Sequence, residues 1–322
     1  MAKLRACLFA ILTSVLTTSL MAWGPIGHMA VANVAYKELT PTTKARVRDL
    51  LKLNPEYGNW EKQIPAGTSP EGHDGMIFMI ASTWADDIKG DSKYSDDSPD
   101  PNTPDGATSS QNVGYADLFR HRYWHFVDVP FSPDHTALPA IPVPNAQTQI
   151  VAFRAVLGSA GSDELKSYDL VWLLHLIGDV HQPLHATTRI TRAAPKGDAG
   201  GNNVKLSGDA SPNLHSYWDD IPGLDCNFCK NRIHCIDRAV VFSKQLKAPS
   251  AKAVRKTDTA AWIQESFAAA RTVVYRVPIG TVDNPYTIVP QSAYEMAAYR
   301  LTQKRIALAG ARLAEVLNHE LK

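Results

Sequence analysis

Between His175 and His185 the chain reads HLIGDVHQPLH, three histidines and one aspartate within an otherwise apolar stretch. A segment this apolar folds to the interior, where polar and charged side chains are costly unless they are paired or bound to an ion. His175 and Asp179 are four residues apart, so on a helix both project from one face and can close on a single metal ion. His181 and His185 repeat that spacing, but Pro183 stands between them and is expected to end the helix, so they need not share the face. The competing reading is a buried polar cluster satisfied by backbone and water. Four such groups in one apolar segment favour metal.

The 322 residues, 44% hydrophobic and 20% charged, are those of an ordinary globular chain, long enough for one large domain or two small ones. Residues 1–22 read as a secretory signal: Lys3 and Arg5 precede the apolar run from Ala6 to Val15, polar residues follow, and Ala22 is a small residue at a cleavage point. Cleavage is expected before Trp23, giving a secreted or periplasmic protein. The apolar run is too short for the ~20 residues of a membrane span. Loss of Lys3 and Arg5 from 33 basic residues, against 32 acidic ones, leaves a mature net charge of −1. A polyanionic partner must then be attracted by bound cations or by a few placed Lys and Arg, not by the overall field. Cys7 leaves with the signal, so Cys226, Cys229 and Cys235 remain, enough for one disulfide of unassigned pairing and one spare thiol. The alternative is a zinc knuckle in which His234 joins these cysteines.

Apolar periodicity predicts helices around 26–39, 146–158, 168–182, 233–246, 258–274 and 291–318, with a further one starting at Thr40-Pro41. Only NNVKLSG, after Gly200-Gly201, carries a strand and turn signal, so the expected fold is mainly α with a small β-hairpin. Residues 90–115 are rich in Asp, Ser, Pro and Gly and are expected to form a long, mobile surface loop.

Candidate ligands recur elsewhere in short contexts. WADD contains Asp86, YWHFVD contains His125, and NLHSYWDD spaces His215 and Asp219 four apart. Together with His175, Asp179 and His185 they form a set of imidazoles and carboxylates without thiolates, the donor type of catalytic rather than structural zinc. Their number exceeds what one tetrahedral ion uses, which implies two or three ions.

The ordered motifs WGxxGH, WAD, HFVD, HxxGDxHQPLH, GDxGGN and LHxxWD resemble the zinc-dependent single-strand nucleases and 3'-nucleotidases of fungi and plants, whose fold is shared with bacterial zinc phospholipases C. The resemblance covers residues 23–322 and implies a single multi-helix domain of that phospholipase C/nuclease type holding three Zn2+ ions. By resemblance, Asp86, His125, His175 and Asp179 hold one ion. His28, Asp179 and the amine and carbonyl of a processed Trp23 hold a second, with Asp179 bridging. His185, His215 and Asp219 hold the third. His181 lies inside the motif without being a ligand of the family pattern, and a supporting role beside the ligands is open to it. His73, His121, His135 and His319 match nothing in the pattern and are expected on the surface or in loops.

The resemblance further implies a phosphodiesterase that cleaves single-stranded RNA and DNA to 5'-phosphorylated products and acts on 3'-nucleotides, with no stable protein partner and a monomeric state. Where the family has an arginine three residues after the WAD aspartate, this chain has Lys89, which keeps the charge on the phosphate but not the bidentate fork. Phe126 and Asp128 are implied to stack on a base and bond its edge, with Asn202 as a third base contact. Without the family, Phe126 reads as core packing and Asp128 as a loop cap. Two alternatives stay open: a zinc phospholipase C acting on phospholipid head groups, and a non-catalytic zinc-binding protein.

Overall fold

In the computed structural model, residues 23–98, 108–208, 211–224, 231–280 and 285–322 are described. The expected signal segment, Cys226 and Cys229 lie outside them. Twelve α-helices appear among the described residues: α1 (Pro25–Glu38), α2 (Pro41–Leu51), α3 (Tyr57–Glu61), α4 (Pro70–Ala81), α5 (Trp84–Gly90), α6 (Ala146–Leu157), α7 (Asp163–Asp179), α8 (Leu214–Asp220), α9 (Arg232–Ser243), α10 (Ala251–Val254), α11 (Thr259–Ala269) and α12 (Ala293–Glu320). The mainly α reading therefore holds.

The organising element is α7. Ser162 caps its start by accepting from Leu165 N, and Asp163 and Glu164 occupy the positive end of its dipole, so it begins five residues earlier than periodicity predicts. From Ser167 to Asp179 every residue is buried, which is why its apolar pattern goes all round and blurs the expected boundary. The helix stops at Asp179, and Pro183 opens a short 3-10 turn, Pro183–Ala186, that carries His185. Around α7 pack α2, α5, α6 and α12, while α1 lies against α4, α9 and α12. One core cluster includes Trp23, Trp84, Trp124, Trp172 and Trp262. A second, with Leu214, Trp218, Ile221 and Tyr294, sits under the 198–206 turn.

Several expectations change in detail. Periodicity leaves 57–90 unassigned beyond its WAD motif, yet it forms α3, α4 and α5; α4 reads GMIFMIA with apolar residues on every side, because its C-terminal half is buried. The expected hairpin is reduced, among the described residues, to an isolated antiparallel bridge between Lys205 and Asn213. The small sheet is instead a parallel pairing of β1 (Pro130–Phe131) with β2 (Thr188–Arg189). Residues 99–107 of the expected loop are outside the description, but its flanks are tied down. Asp97 and Ser109 are buried, and the Ser109 carbonyl accepts from Tyr123 and Trp124. His121 is a correction: it is fully buried, stacked on Trp124 at 3.6 Å, with Asp97 at 2.6 Å on Nδ1 and Asp117 at 3.1 Å on Nε2. Two carboxylates and an indole face make it an interior residue that no periodic pattern announces. His135 and His319 are exposed as expected. No described helix is long and apolar enough to cross a membrane.

Candidate metal centre

The C-terminal turns of α7 place His175 and Asp179 on one side of the helix, as their spacing requires, and three other elements bring side chains to the same point. The first turn of α1 supplies His28, α5 supplies Asp86, and the 3-10 turn Arg122–His125 supplies His125. His175 Nε2 lies 3.3 Å from Asp179 and 3.5 Å from Asp86, and His125 Nδ1 lies 3.1 Å from Asp179 and 3.7 Å from Asp86. His28 Nε2 approaches the other oxygen of Asp179 at 3.3 Å, and its ring stacks on His175 at 3.8 Å. A Cβ at Gly178 would meet His28 Nδ1 at 3.0 Å, so the glycine of the motif is what lets α1 bring His28 this close. Two groups of ligand atoms result, His28/His175/Asp179 and Asp86/His125/His175, each with its atoms within 4.8 Å of one another.

A third group with the same 4.8 Å limit comprises His185, His215 and Asp219. His215 and Asp219 are four apart on α8, and Asp219 lies 3.4 Å from its neighbour. The orientation of the histidines is fixed from behind. His185 Nδ1 bonds the His125 carbonyl at 2.8 Å, and His215 Nδ1 bonds the Gly200 carbonyl at 2.7 Å. Gly200 holds that carbonyl in place with φ of +58°, where a Cβ would meet the Leu184 carbonyl at 2.5 Å. Each imidazole thus spends its hydrogen on backbone, leaving a lone pair on Nε2, and the two Nε2 atoms face each other at 3.0 Å. His175 has the same backbone anchor, with Nδ1 on the Ser82 carbonyl at 2.8 Å and Nε2 facing His125 at 3.1 Å, while burial, which lowers its pKa, is outweighed by Asp179 and Asp86, which raise it. Nitrogen lone pairs brought together in the interior repel unless a cation or proton lies between them.

The electrostatics agree. Burial pushes His125 down to about 3 and His28 to about 4, keeping both imidazoles neutral and ready as ligands. Burial opposes ionisation of Asp179 and Asp86, yet His175 and His125, with Lys89 at Asp86, outweigh it and hold both carboxyls below the usual range. At Asp219 burial wins: it raises the carboxyl well above the ordinary range despite a hydrogen bond from Gln182, and Asp220, Asp86 and Asp179 add to the rise. Buried atoms without hydrogen bonds concentrate here: both nitrogens of His28, Nε2 of His125 and Oδ1 of Asp179. A donor set of imidazole and carboxylate, oriented from behind and orphaned in front, fits zinc-type ions.

The remaining sequence candidates divide. Trp23 is fully buried beside the cluster, its indole donating to the Gly178 carbonyl at 3.0 Å while Gly24 N donates to the Asp219 carbonyl at 2.9 Å. Lys89 is buried and donates to Asp86 at 2.6 Å, so it engages a candidate ligand directly. Phe126 is half-buried against the core; Val127 N bonds the His185 carbonyl at 2.7 Å, which sets the 126–128 segment along the third group. Asp128 is half-buried, and burial together with Asp198 raises its carboxyl to about 7. Asn202 is half-buried and donates to the Ala199 carbonyl at 2.8 Å in the turn that carries Gly200. His181 is turned away: Nδ1 bonds the Ile177 carbonyl at 2.7 Å and Nε2 meets Arg312 at 2.9 Å. Gln182 was missed. It is fully buried, donates to Asp219 at 2.7 Å, and its only sequence signal is its place between His181 and Pro183. Cys235 is disulfide-bonded, so its sulfur is not a thiolate and the zinc-knuckle reading falls.

A helical body built around adjoining, buried histidine–aspartate groups has the donor set of a metal-dependent enzyme. Residues 23–322 match the S1/P1 nuclease family model, and the chain belongs to that family, whose members are zinc-dependent nucleases. It is 26% identical to Endonuclease 3 of Arabidopsis thaliana over 318 residues, covering 94% of this chain and 90% of the relative. It is 26% identical to Endonuclease 4 of the same plant over 316 residues, at 92% and 89% coverage. Nuclease S1 of Aspergillus oryzae is 25% identical over 210 residues, 61% of this chain and 53% of the relative.

Proposed function

We propose that this nuclease is exported after removal of residues 1–22, works as a trinuclear zinc enzyme beginning at Trp23, and hydrolyses single-stranded RNA and DNA to 5'-phosphorylated products, with 3'-nucleotides as further substrates. The observation that carries the reading is the pair of facing Nε2 atoms of His185 and His215, each ring anchored through Nδ1 on a carbonyl, beside a second centre in which Asp179 is approached by three histidines. When bound, the ions would activate water as nucleophile and absorb charge on the phosphate and on the departing 3' oxygen.

The chain's own residues do the rest. Asp86, His125, His175 and Asp179 hold the first ion. Asp179, His28 and the amine and carbonyl of Trp23 hold the second, and His185, His215 and Asp219 hold the third. The carbonyls of Ser82, His125 and Gly200 fix the imidazole tautomers, and the Gln182 amide turns Asp219 toward its histidines. The Lys89 ammonium steadies Asp86 and adds positive charge where phosphate oxygens would sit. Phe126 offers a face for a base, worth ~1 to 3 kcal/mol whatever its identity, and Asp128 and Asn202 bond its edge. A base held in this way must be unpaired, which selects single strands.

The test uses protein starting at Trp23 and loaded with zinc, offered single-stranded oligonucleotide, duplex and phosphatidylcholine in parallel. Single-strand cleavage with 5'-phosphate ends is expected. Lipid turnover with nucleic acid untouched would overturn the reading in favour of a phospholipase, and no hydrolysis of any phosphodiester at any pH would leave a zinc-binding protein.

A further inference from the structure

Lys247, Arg300 and Lys304 line a groove of about 410 Å³ between the segment that follows α9 and the N-terminal half of α12. All three are exposed, and among the described residues none of them has an ion-pair partner. The two stretches that form the groove, 244–252 and 300–308, contain no aspartate or glutamate, although acidic residues balance basic ones over the chain as a whole. Charge is therefore concentrated at this place. Arg305, next in sequence to Lys304, points the other way: it is buried, donates to the His181 carbonyl at 3.0 Å and pairs with Glu265 at 3.3 Å. The groove thus opens on a different face of α12 from the one that supports the turn after Asp179.

The lining is not that of a site for a point anion. Ala248, Pro249 and Leu308 give it an apolar floor, while Gln245 and Gln303 add amides. Tyr299 donates its hydroxyl to Gln245 Oε1 at 3.0 Å, which occupies the amide oxygen and leaves the amide nitrogen as the donor that Gln245 adds to the lining. Cations at the rim, an apolar floor and amide donors suit a ligand with negative charge, flat apolar faces and carbonyl edges. A segment of single-stranded nucleic acid has all three, and the volume is in the range of small-ligand clefts.

We propose that this groove is a second binding site for single-stranded nucleic acid, separate from the metal centre, where Lys247, Arg300 and Lys304 engage backbone phosphates. The proposal rests on the nuclease reading for the identity of the strand. It also answers a problem that the net charge raises, since a chain without an overall positive field needs placed cations to gather a polyanion.

The experiment compares the zinc-loaded enzyme with the triple variant Lys247→Glu, Arg300→Glu, Lys304→Glu. On a dinucleotide, kcat and KM should be unchanged, which also reports an intact fold. On a long single strand KM should rise about tenfold or more at constant kcat, and the slope of log affinity against log salt should lessen by about 2, at ~0.7 for each phosphate no longer neutralised by the protein. Binding of a labelled phosphorothioate strand, followed by fluorescence anisotropy, should weaken in parallel. The milder variant Arg300→Lys should behave as the parent. Equal KM and equal anisotropy for parent and triple variant overturn the site while leaving the nuclease reading intact. Weakened strand binding in a protein that hydrolyses nothing upholds the site and removes the nuclease reading. A variant that loses affinity for anionic phosphatidylglycerol vesicles, and not for the strand, assigns the groove to a membrane and overturns the proposal.

Discussion

The Lys89 ammonium lies 2.6 Å from Oδ1 of Asp86, and both side chains are buried beside His125 and His175. A lysine in that position pulls the Asp86 carboxyl toward its ionised form, and under the proposed function it would also offer a compact charge to a phosphate oxygen.

Lys89→Met should therefore lower kcat/KM by about ten- to a hundredfold without removing metal, since Asp86 would be held by the ion alone. Steady-state kinetics with elemental analysis of the same preparation tests this. Metal and activity lost in proportion would mean that Lys89 serves only to hold Asp86.

Asp179 is approached by His28 at 3.3 Å through one oxygen and by His125 at 3.1 Å through the other. Asp179→Asn should abolish activity and release two metal equivalents, because a shared carboxylate serves both sites. Elemental analysis that finds one equivalent missing would show that the carboxylate is not a bridge.

Trp23 is anchored by its indole on the Gly178 carbonyl, and Gly24 by its N–H on the Asp219 carbonyl, so these two residues sit between two candidate sites. A protein retaining one extra residue before Trp23 should bind its second zinc more weakly and turn over more slowly, because a free α-amine titrating near ~7.7 yields its proton to zinc whereas an amide nitrogen does not. Competition with a chelator measures the affinity. Full activity and unchanged affinity would rule out the terminal chelate.

Asp169, buried on α7 away from the metal ligands, accepts from Asn112 at 3.2 Å; burial drives its carboxyl up to about 8, with the Asn112 bond opposing. Unfolded, it ionises near ~3.9. Between those values the folded chain holds a proton that the unfolded chain has released, so the contribution of Asp169 to stability is greatest below pH ~4 and declines as pH rises toward 8. In Asp169→Asn that decline should disappear. Melting temperatures at pH 5 and pH 8 give the comparison: the variant should gain on the parent at the higher pH, and a pH-independent difference would contradict the assignment.

Much of the site is legible in the sequence because its ligands come in local pairs. His175 with Asp179, and His215 with Asp219, are one helical turn apart, and Gly178 and Gly200 stand where close approach is needed. Spacing alone could not announce which distant elements converge; the family resemblance supplied that grouping, and the structure brings the side chains of each set within reach. His121 looked like a loop histidine and is locked between Asp97 and Asp117, while His181, in the middle of the metal motif, faces Arg312 instead. The role of Gln182 was not legible from its place in the motif, because what makes it matter is Asp219, on α8, at 2.7 Å.

By itself, then, the sequence determined the chemistry and its helical setting: imidazoles and carboxylates without thiolates, spaced by the turn of an α-helix, which is a local geometry that spacing alone encodes. Only the tertiary structure decided the tautomer each imidazole adopts and the charge state of each carboxyl. Those depend on carbonyls and charges from elements far apart in the chain, such as Ser82 behind His175 and Gly200 behind His215, and on an interior where an unpaired lone pair or charge has no water to turn to.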